Sequence, residues 1–112
     1  MSDPRLATHI LVGALIRQVQ DAGGFATVLH RGDPVSGVIL IQCLERGKPT
    51  GLFERVADMK GGYRLERCGP AADADATETN EYIARRRRSD RDLWLMELDV
   101  AQAERLAAIT LC

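Results

Sequence analysis

The sequence is poor in the residue types from which small catalytic and binding sites are most often built. Aromatic residues make up 4% of the chain, which has two histidines, three cysteines and three serines. So few aromatic side chains disfavour a platform on which several bases stack. The cysteines are odd in number and lack C-x-x-C spacing, which disfavours a disulfide framework and a metal cluster. No serine stands in a nucleophile-elbow pattern, and no glycine-rich loop opens a helix as a phosphate loop does.

A large excess of one charge and a long apolar run are also absent. Fifteen basic and 16 acidic side chains give a formal net charge of −1, which excludes a uniformly basic nucleic-acid binder. The apolar run Ile10–Ile16 is too short to span a bilayer, and no small-residue cleavage site of a signal peptide follows it. We therefore expect a cytoplasmic protein with reduced thiols and no membrane partner.

What the sequence does contain is the pattern of one α+β domain spanning residues 1–112. We predict an N-terminal helix, a four-stranded antiparallel meander, a second helix, a fifth strand and a short C-terminal helix. Asp3-Pro4 and Asp99 are the expected starts of the first and third helices, and Asp73, Asp75 and Thr77 are the candidate caps of the second. The expected helices cover about 6–22, 76–89 and 100–109, and the expected strands cover 25–30, 38–44, 52–57, 63–68 and 93–98.

Three of these elements are apolar on more than one side. The first helix is either buried on two sides, or buried on one and used for self-association on the other. A close backbone approach is one explanation of Gly13 in its middle, but core packing is the favoured interpretation. The strands at 38–44 and 93–98 are apolar on both faces, which is typical of central strands or of strands inside an interface.

A series of short motifs extends over nearly the whole chain; they are Gly24-Phe25-Ala26, Arg31-Gly32-Asp33-Pro34, Gly37, Glu81-Tyr82 with the arginines that follow, Asp90, Asp92-Leu93-Trp94 and Glu97-Leu98. In these residues the chain resembles a bacterial family catalogued as domain of unknown function 1491. Members of the family more often have proline where this chain has Arg91, so we expect a different turn there. The resemblance implies a small standalone intracellular protein and brings no activity, ligand or catalytic residue.

The run of four arginines in the second helix is the strongest candidate for a binding site. Such runs bind phosphates, and the aromatic rings of Tyr82 and Trp94 lie close by in the sequence for stacking on bases. The alternative is structural, because acidic residues at the start of a helix and basic residues at its end are favoured by the helix dipole. Asp90 and Asp92 are expected to flank the following loop and to pair with the arginines.

Helical geometry divides the arginine run. With Ile83 facing inward, Arg86 and Arg87 lean toward the sheet, while the other two arginines face solvent. We predict that Arg87 is buried and paired with a carboxylate, because a buried guanidinium needs one. The candidate partners are Asp90, Asp92, Glu97 and Asp99.

The sequence thus favours a non-enzymatic interaction module that binds a second copy of itself or another protein. The alternative is a nucleic-acid or phosphate-ligand binder that uses the arginine helix. No catalytic residue, metal ligand or cofactor site is assigned, because no histidine or cysteine has the spacing of a metal site or of a nucleophile and its base. The candidate residues for binding or for structural ion pairs are Arg85, Arg86, Arg87, Arg88, Asp90, Asp92 and Trp94.

Overall fold

The computed structural model describes residues 6–112, which form an α+β fold of three helices and five strands. The order of elements is the predicted one: a helix, four strands, a helix, a strand and a helix. The elements are α1 (Thr8–Asp21), β1 (Phe25–His30), β2 (Ile39–Glu45), β3 (Lys48–Ala57), β4 (Tyr63–Arg67), α2 (Ala76–Ser89), β5 (Trp94–Asp99) and α3 (Ala103–Leu111).

The strands form one mixed sheet in the order β1-β5-β2-β3-β4. β5 lies between β1 and β2, antiparallel to β1 and parallel to β2. The predicted antiparallel meander is therefore correct for β2, β3 and β4 but wrong for β1, which does not pair with β2. The reason is burial: Trp94, Leu95, Met96 and Leu98 of β5 are buried, and only an interior strand can cover apolar side chains on both of its faces.

The sheet has an apolar core on each face. One core joins α1 and α3 to side chains that include Ile41, Phe53 and Met96. The other packs Ile83 of α2 against Leu40, Leu52 and Leu95. Successive side chains of a strand point to opposite faces. The paired cores therefore confirm that β2 and β5 are central strands covered on both sides.

Helix α1 packs on one side and leaves part of its other side exposed. Its buried residues include Leu11, Leu15 and Val19, while Ile10 is 50% exposed. The helix begins at Thr8, whose backbone N–H donates to the carbonyl of Val35 (3.1 Å). The helix start predicted at Asp3-Pro4 lies outside the described residues.

The start of α3 differs from the prediction. Asp99 was expected to cap this helix, which instead begins at Ala103 after Gln102 in the left-handed conformation. The Asp99 carboxylate accepts hydrogen bonds from the backbone N–H groups of Arg46 (2.8 Å) and Gly47 (2.9 Å). It therefore stabilises the turn between β2 and β3, because the parallel pairing brings the end of β5 beside the end of β2. Strand β3 is longer than the strand predicted at 52–57, since it begins at Lys48.

Among residues 6–112, no helix has the length and the apolar character needed to cross a membrane.

Gly13 is not a site of close backbone approach, so that explanation of it is wrong. A Cβ atom at Gly13 would meet only the Nη1 atom of Arg17, at 3.6 Å. We expect Gly13→Ala to raise the free energy of unfolding by about 0.5–1 kcal/mol, because alanine has the higher helix propensity. Urea denaturation measures the change. A loss of stability would show that the helix needs the bare backbone at this position.

Candidate functional site

Two loops and the end of α2 meet at one end of the sheet. The loop between β1 and β2 lies across the loop that leads into β5. The backbone N–H of Asp33 donates to the carbonyl of Asp92 (3.0 Å), and that of Trp94 donates to the carbonyl of Val38 (2.8 Å). The indole N–H of Trp94 donates to the carbonyl of Asp33 (2.7 Å). These bonds hold the two loops together as a single structural unit.

The two loops approach so closely that only glycine fits at two positions. A Cβ atom at Gly32 would lie 2.1 Å from the carbonyl oxygen of Asp92, and one at Gly37 would lie 2.3 Å from the same oxygen. Backbone contacts this close exclude any side chain. The glycines of the sequence motif are therefore explained by loop packing.

Asp33 and Asp90 stabilise turns in these loops. The Asp33 carboxylate accepts hydrogen bonds from the backbone N–H groups of Val35 (3.0 Å) and Ser36 (2.8 Å), and these bonds lower its pKa. The Asp90 carboxylate accepts from the backbone N–H of Asp92 (3.0 Å). Within residues 6–112, the carboxylates of Asp33, Asp90 and Asp92 form no ion pair with an arginine. The predicted pairing of Asp90 and Asp92 with the arginine run is therefore wrong.

Trp94 is a core residue. Its side chain is buried and packs with the apolar core under α1 and α3. The guanidinium of Arg31 lies over its ring, 5.3 Å from the centroid. The indole is therefore not accessible for stacking on a base, which corrects the role considered for it in nucleic-acid binding.

Of the two arginines predicted to lean toward the sheet, only Arg86 does so. Arg86 is the half-buried member, and its Nη1 atom donates to the Glu54 carboxylate (3.0 Å) and the Tyr82 hydroxyl (2.8 Å). Arg87 is exposed, and its Nη2 atom lies 3.0 Å from Nδ1 of His30. The prediction that Arg87 is buried and bound to Asp90, Asp92, Glu97 or Asp99 is wrong.

The position of Tyr82 accounts for this difference. Apart from Ala84, the half-buried or buried residues along α2 are Thr79, Tyr82, Ile83 and Arg86, which have the i, i+3, i+4, i+7 spacing of one helix face. Because Tyr82 is half-buried, the side of α2 that faces the sheet includes Arg86, four residues further on. That face lies above Leu52 of β3, the strand that carries Glu54. The partner of the inward arginine therefore comes from β3.

The half-buried ion pair favours the charged form of Arg86. The hydrogen bond that Arg86 donates to the Glu54 carboxylate raises the pKa of Arg86 above its ordinary value, against the opposing effect of burial. Burial raises the pKa of the neighbouring Cys68 thiol, and it raises that of Cys43 to about 12. Both thiols are therefore weak nucleophiles at neutral pH, since the thiolate is the reactive form. In the described part of the chain, no group of three or more His, Cys, Asp or Glu side chains could hold a metal ion.

An open depression lies between the end of β1 and the end of α2. We call it the cationic cleft; the side chains that line it are His30, Ala84, Arg87, Arg88 and Arg91. Arg87 and Arg88 belong to the predicted candidates, whereas Arg85 and Arg86 do not line it. His30 and Arg91 were missed as binding residues. Arg91 follows the arginine run closely and could have been included, but the placement of His30 requires knowledge of the strand order.

Comparison with known proteins identifies a family model and solved structures to which this chain is similar. The family model described as "Protein of unknown function (DUF1491)" matches residues 6–108. A crystal structure of a DUF1491 family protein from Caulobacter crescentus CB15 is 28% identical, with a TM-score of 0.78, and the match covers 90% of this chain and 94% of that chain. The solution structure of protein Atu0922 from A. tumefaciens is 31% identical, with a TM-score of 0.70 and 86% coverage of each chain. No curated protein matches the chain.

The two-loop contact gives a prediction for Gly32. We expect Gly32→Ala to lower the free energy of unfolding by about 1–3 kcal/mol, because the new methyl group forces the loops apart. Thermal or urea denaturation measures the loss, and Gly13→Ala is the control because a Cβ atom has room there. Unchanged stability of the Gly32 variant would contradict the close approach.

The ion pair of α2 gives a second prediction. Arg86→Ala leaves Glu54 and the Tyr82 hydroxyl without their donor, so we expect a loss of about 1.5–3 kcal/mol in the free energy of unfolding. Arg85→Ala and Arg88→Ala remove exposed side chains of the same helix and should change it by no more than about 0.5 kcal/mol. Urea denaturation of the three variants tests the division of the run. Equal losses at all three positions would contradict it.

Proposed function

The chain belongs to the DUF1491 family, as its sequence motifs indicate, and we propose that it is a small interaction module that pairs with a second copy of itself along strand β1. The observation that carries this proposal is the character of β1, an edge strand with exposed apolar side chains. The module is non-enzymatic in this proposal and takes no cofactor. The proposed compartment is the cytoplasm, which the three free cysteines of the described residues support.

The two edges of the sheet differ in chemistry. β4 forms one edge and carries three charged side chains, Arg64, Glu66 and Arg67, in its five residues. Charges on an edge strand oppose pairing with another chain. β1 forms the other edge and carries no acidic residue, lysine or arginine in its six residues. This contrast supports β1 as the edge that accepts a partner.

Exposed apolar side chains are concentrated around the same edge. Eight large hydrophobic residues within 6–112 are exposed, and six of them fall in the segment 6–35; these are Leu6, Ile10, Phe25, Val28, Leu29 and Val35. Helix α1 and the loop after β1 are joined by backbone hydrogen bonds, from Thr8 to Val35 and from His9 to Pro34. The residues therefore belong to neighbouring elements, as expected of one surface patch that a partner covers.

A second copy of the chain is the occupant that fits this edge. Two β1 strands related by a two-fold axis run antiparallel, so each satisfies the free backbone groups of the other and the apolar side chains meet their equivalents. The bulge at Leu29 limits the regular part of the edge to Phe25–Val28, so side-chain contacts must contribute much of the interface. A standard interface takes about 800 Å² from each partner. The accessible surface of the chain is 6991 Å², so the contact needs about a tenth of it.

The oligomeric state tests this proposal. We expect the purified chain at tens of micromolar to elute in size exclusion with a light-scattering mass of twice the 12.3 kDa chain. The double variant Phe25→Lys, Leu29→Lys places charges on the edge and should be monomeric, because burying two unpaired ammonium groups opposes pairing. Far-UV circular dichroism of the variant establishes that it is folded.

The matched control removes exposed apolar side chains elsewhere. Met59→Lys and Ile109→Lys change residues that are 103% and 70% exposed and lie outside the 6–35 segment, so a variant carrying both should remain dimeric. A monomeric wild-type chain at these concentrations would refute self-association. A dimer that dissociates in the control variant, but not in the β1 variant, would place the interface elsewhere.

A further inference from the structure

The cationic cleft lies at the far end of β1 and was not used by the proposed function. Three guanidinium groups and one imidazole line it, and the cleft is open to solvent. Arg87 and Arg88 come from the end of α2, Arg91 comes from the loop after it, and His30 comes from the end of β1. Residues from three segments therefore converge on one depression.

A β-bulge places His30 in this cleft. Val28 lies opposite Met96, but His30 lies opposite Leu95, so Leu29 is an extra residue in the ladder. Regular pairing would put His30 opposite Trp94, on the face of the sheet that α1 and α3 cover. The bulge turns it to the face of α2, where its Nδ1 atom lies 3.0 Å from Nη2 of Arg87. Bulges re-aim side chains in this way next to functional sites.

The charges of the cleft have no close counter-ions among residues 6–112. The ion pairs within this range are Arg64–Glu66 and Arg86–Glu54, and neither involves a residue of the cleft. The adjoining loops carry three acidic residues, Asp33, Asp90 and Asp92. The carboxylates of Asp33 and Asp90 accept backbone N–H bonds, and that of Asp92 forms no ion pair with a residue of the described range. Within that range Arg87, Arg88 and Arg91 have no ion-pair partner, which leaves their guanidinium groups to an anion from solution.

The shape and chemistry of the cleft favour a phosphate group. Guanidinium groups bind phosphate oxygens through paired N–H donors, and three of them converging on one depression suit a dianion. We propose that the cationic cleft binds the phosphate group of a small phosphorylated molecule. A nucleic acid fits less well, because no Phe, Tyr or Trp side chain lines the cleft and Trp94 is buried.

Titration followed by ¹H–¹⁵N NMR tests the proposal on the full chain. The probes are inorganic phosphate and phenyl phosphate, each compared with sodium chloride at equal ionic strength. We expect saturable shifts for His30, Arg87, Arg88 and Arg91 with both phosphate probes and not with chloride. Tighter binding of phenyl phosphate than of inorganic phosphate indicates an organic monoester as the natural source, and equal binding indicates free phosphate; both outcomes support the site.

Variants distinguish this cleft from general attraction to a basic surface. Arg87→Gln and Arg88→Gln should each weaken phosphate binding about tenfold, because each removes a charge-assisted donor. Arg85→Gln is the matched control on the same helix, since Arg85 is exposed but does not line the cleft, and it should leave the affinity unchanged.

Two results would overturn the proposal. The first is the absence of saturable shifts, or an equal loss of affinity in the Arg85 variant. The second is tighter binding of a single-stranded or duplex oligonucleotide at low salt than of either phosphate probe. In that result, replacement of Arg85 and replacement of Arg88 would weaken oligonucleotide binding equally. That pattern would assign the whole arginine run to nucleic-acid binding.

Discussion

The position of β5 inside the sheet is the constraint on which the rest of this structure depends. Its side chains are apolar on both faces, so the strand needs a neighbour on each side and a helix above and below. Insertion between β1 and β2 meets this need. It also brings the loop before β5 under the loop after β1, where Trp94 binds Asp33 and the glycines allow close approach. The same insertion places β1 at the edge of the sheet, at a distance from β2.

Both surfaces that we propose to be functional follow from this placement. β1 becomes an edge because β5 occupies the position beside β2, and its exposed side chains include Phe25 and Leu29. Helix α2 connects β4 to β5 and therefore crosses the other face of the sheet. Because β5 is the neighbour of β1, the end of α2 lies beside the end of β1. His30 thereby meets Arg87, although 57 positions separate them in the sequence. One packing requirement in the core therefore determines which residues meet at the surface.

The sequence was sufficient to predict the order of helices and strands along the chain, but not which strands lie side by side in the sheet. The apolar pattern of 93–98 indicates an interior strand, and Asp75 marks the start of α2 where the structure has it. Strand order depends on which edges pair, and no local pattern in FATVLH specifies β5 as its partner. Helical geometry was sufficient to predict that Arg86 faces the sheet and that Arg85 and Arg88 face solvent. The choice of Arg86 over Arg87 depends on the burial of Tyr82 against β3, a contact that the spacing of arginines does not contain.

The central claim is that the insertion of β5 leaves β1 as an edge that a second copy occupies. Hydrogen–deuterium exchange of the β1 amides at two protein concentrations tests it most directly. The account predicts that the amides of Phe25–Val28 that point away from β5 are protected at tens of micromolar and exchange rapidly after dilution below the dissociation constant. The amides of the charged edge strand β4 should exchange alike at both concentrations. Rapid, concentration-independent exchange along the outer side of β1 would contradict the account.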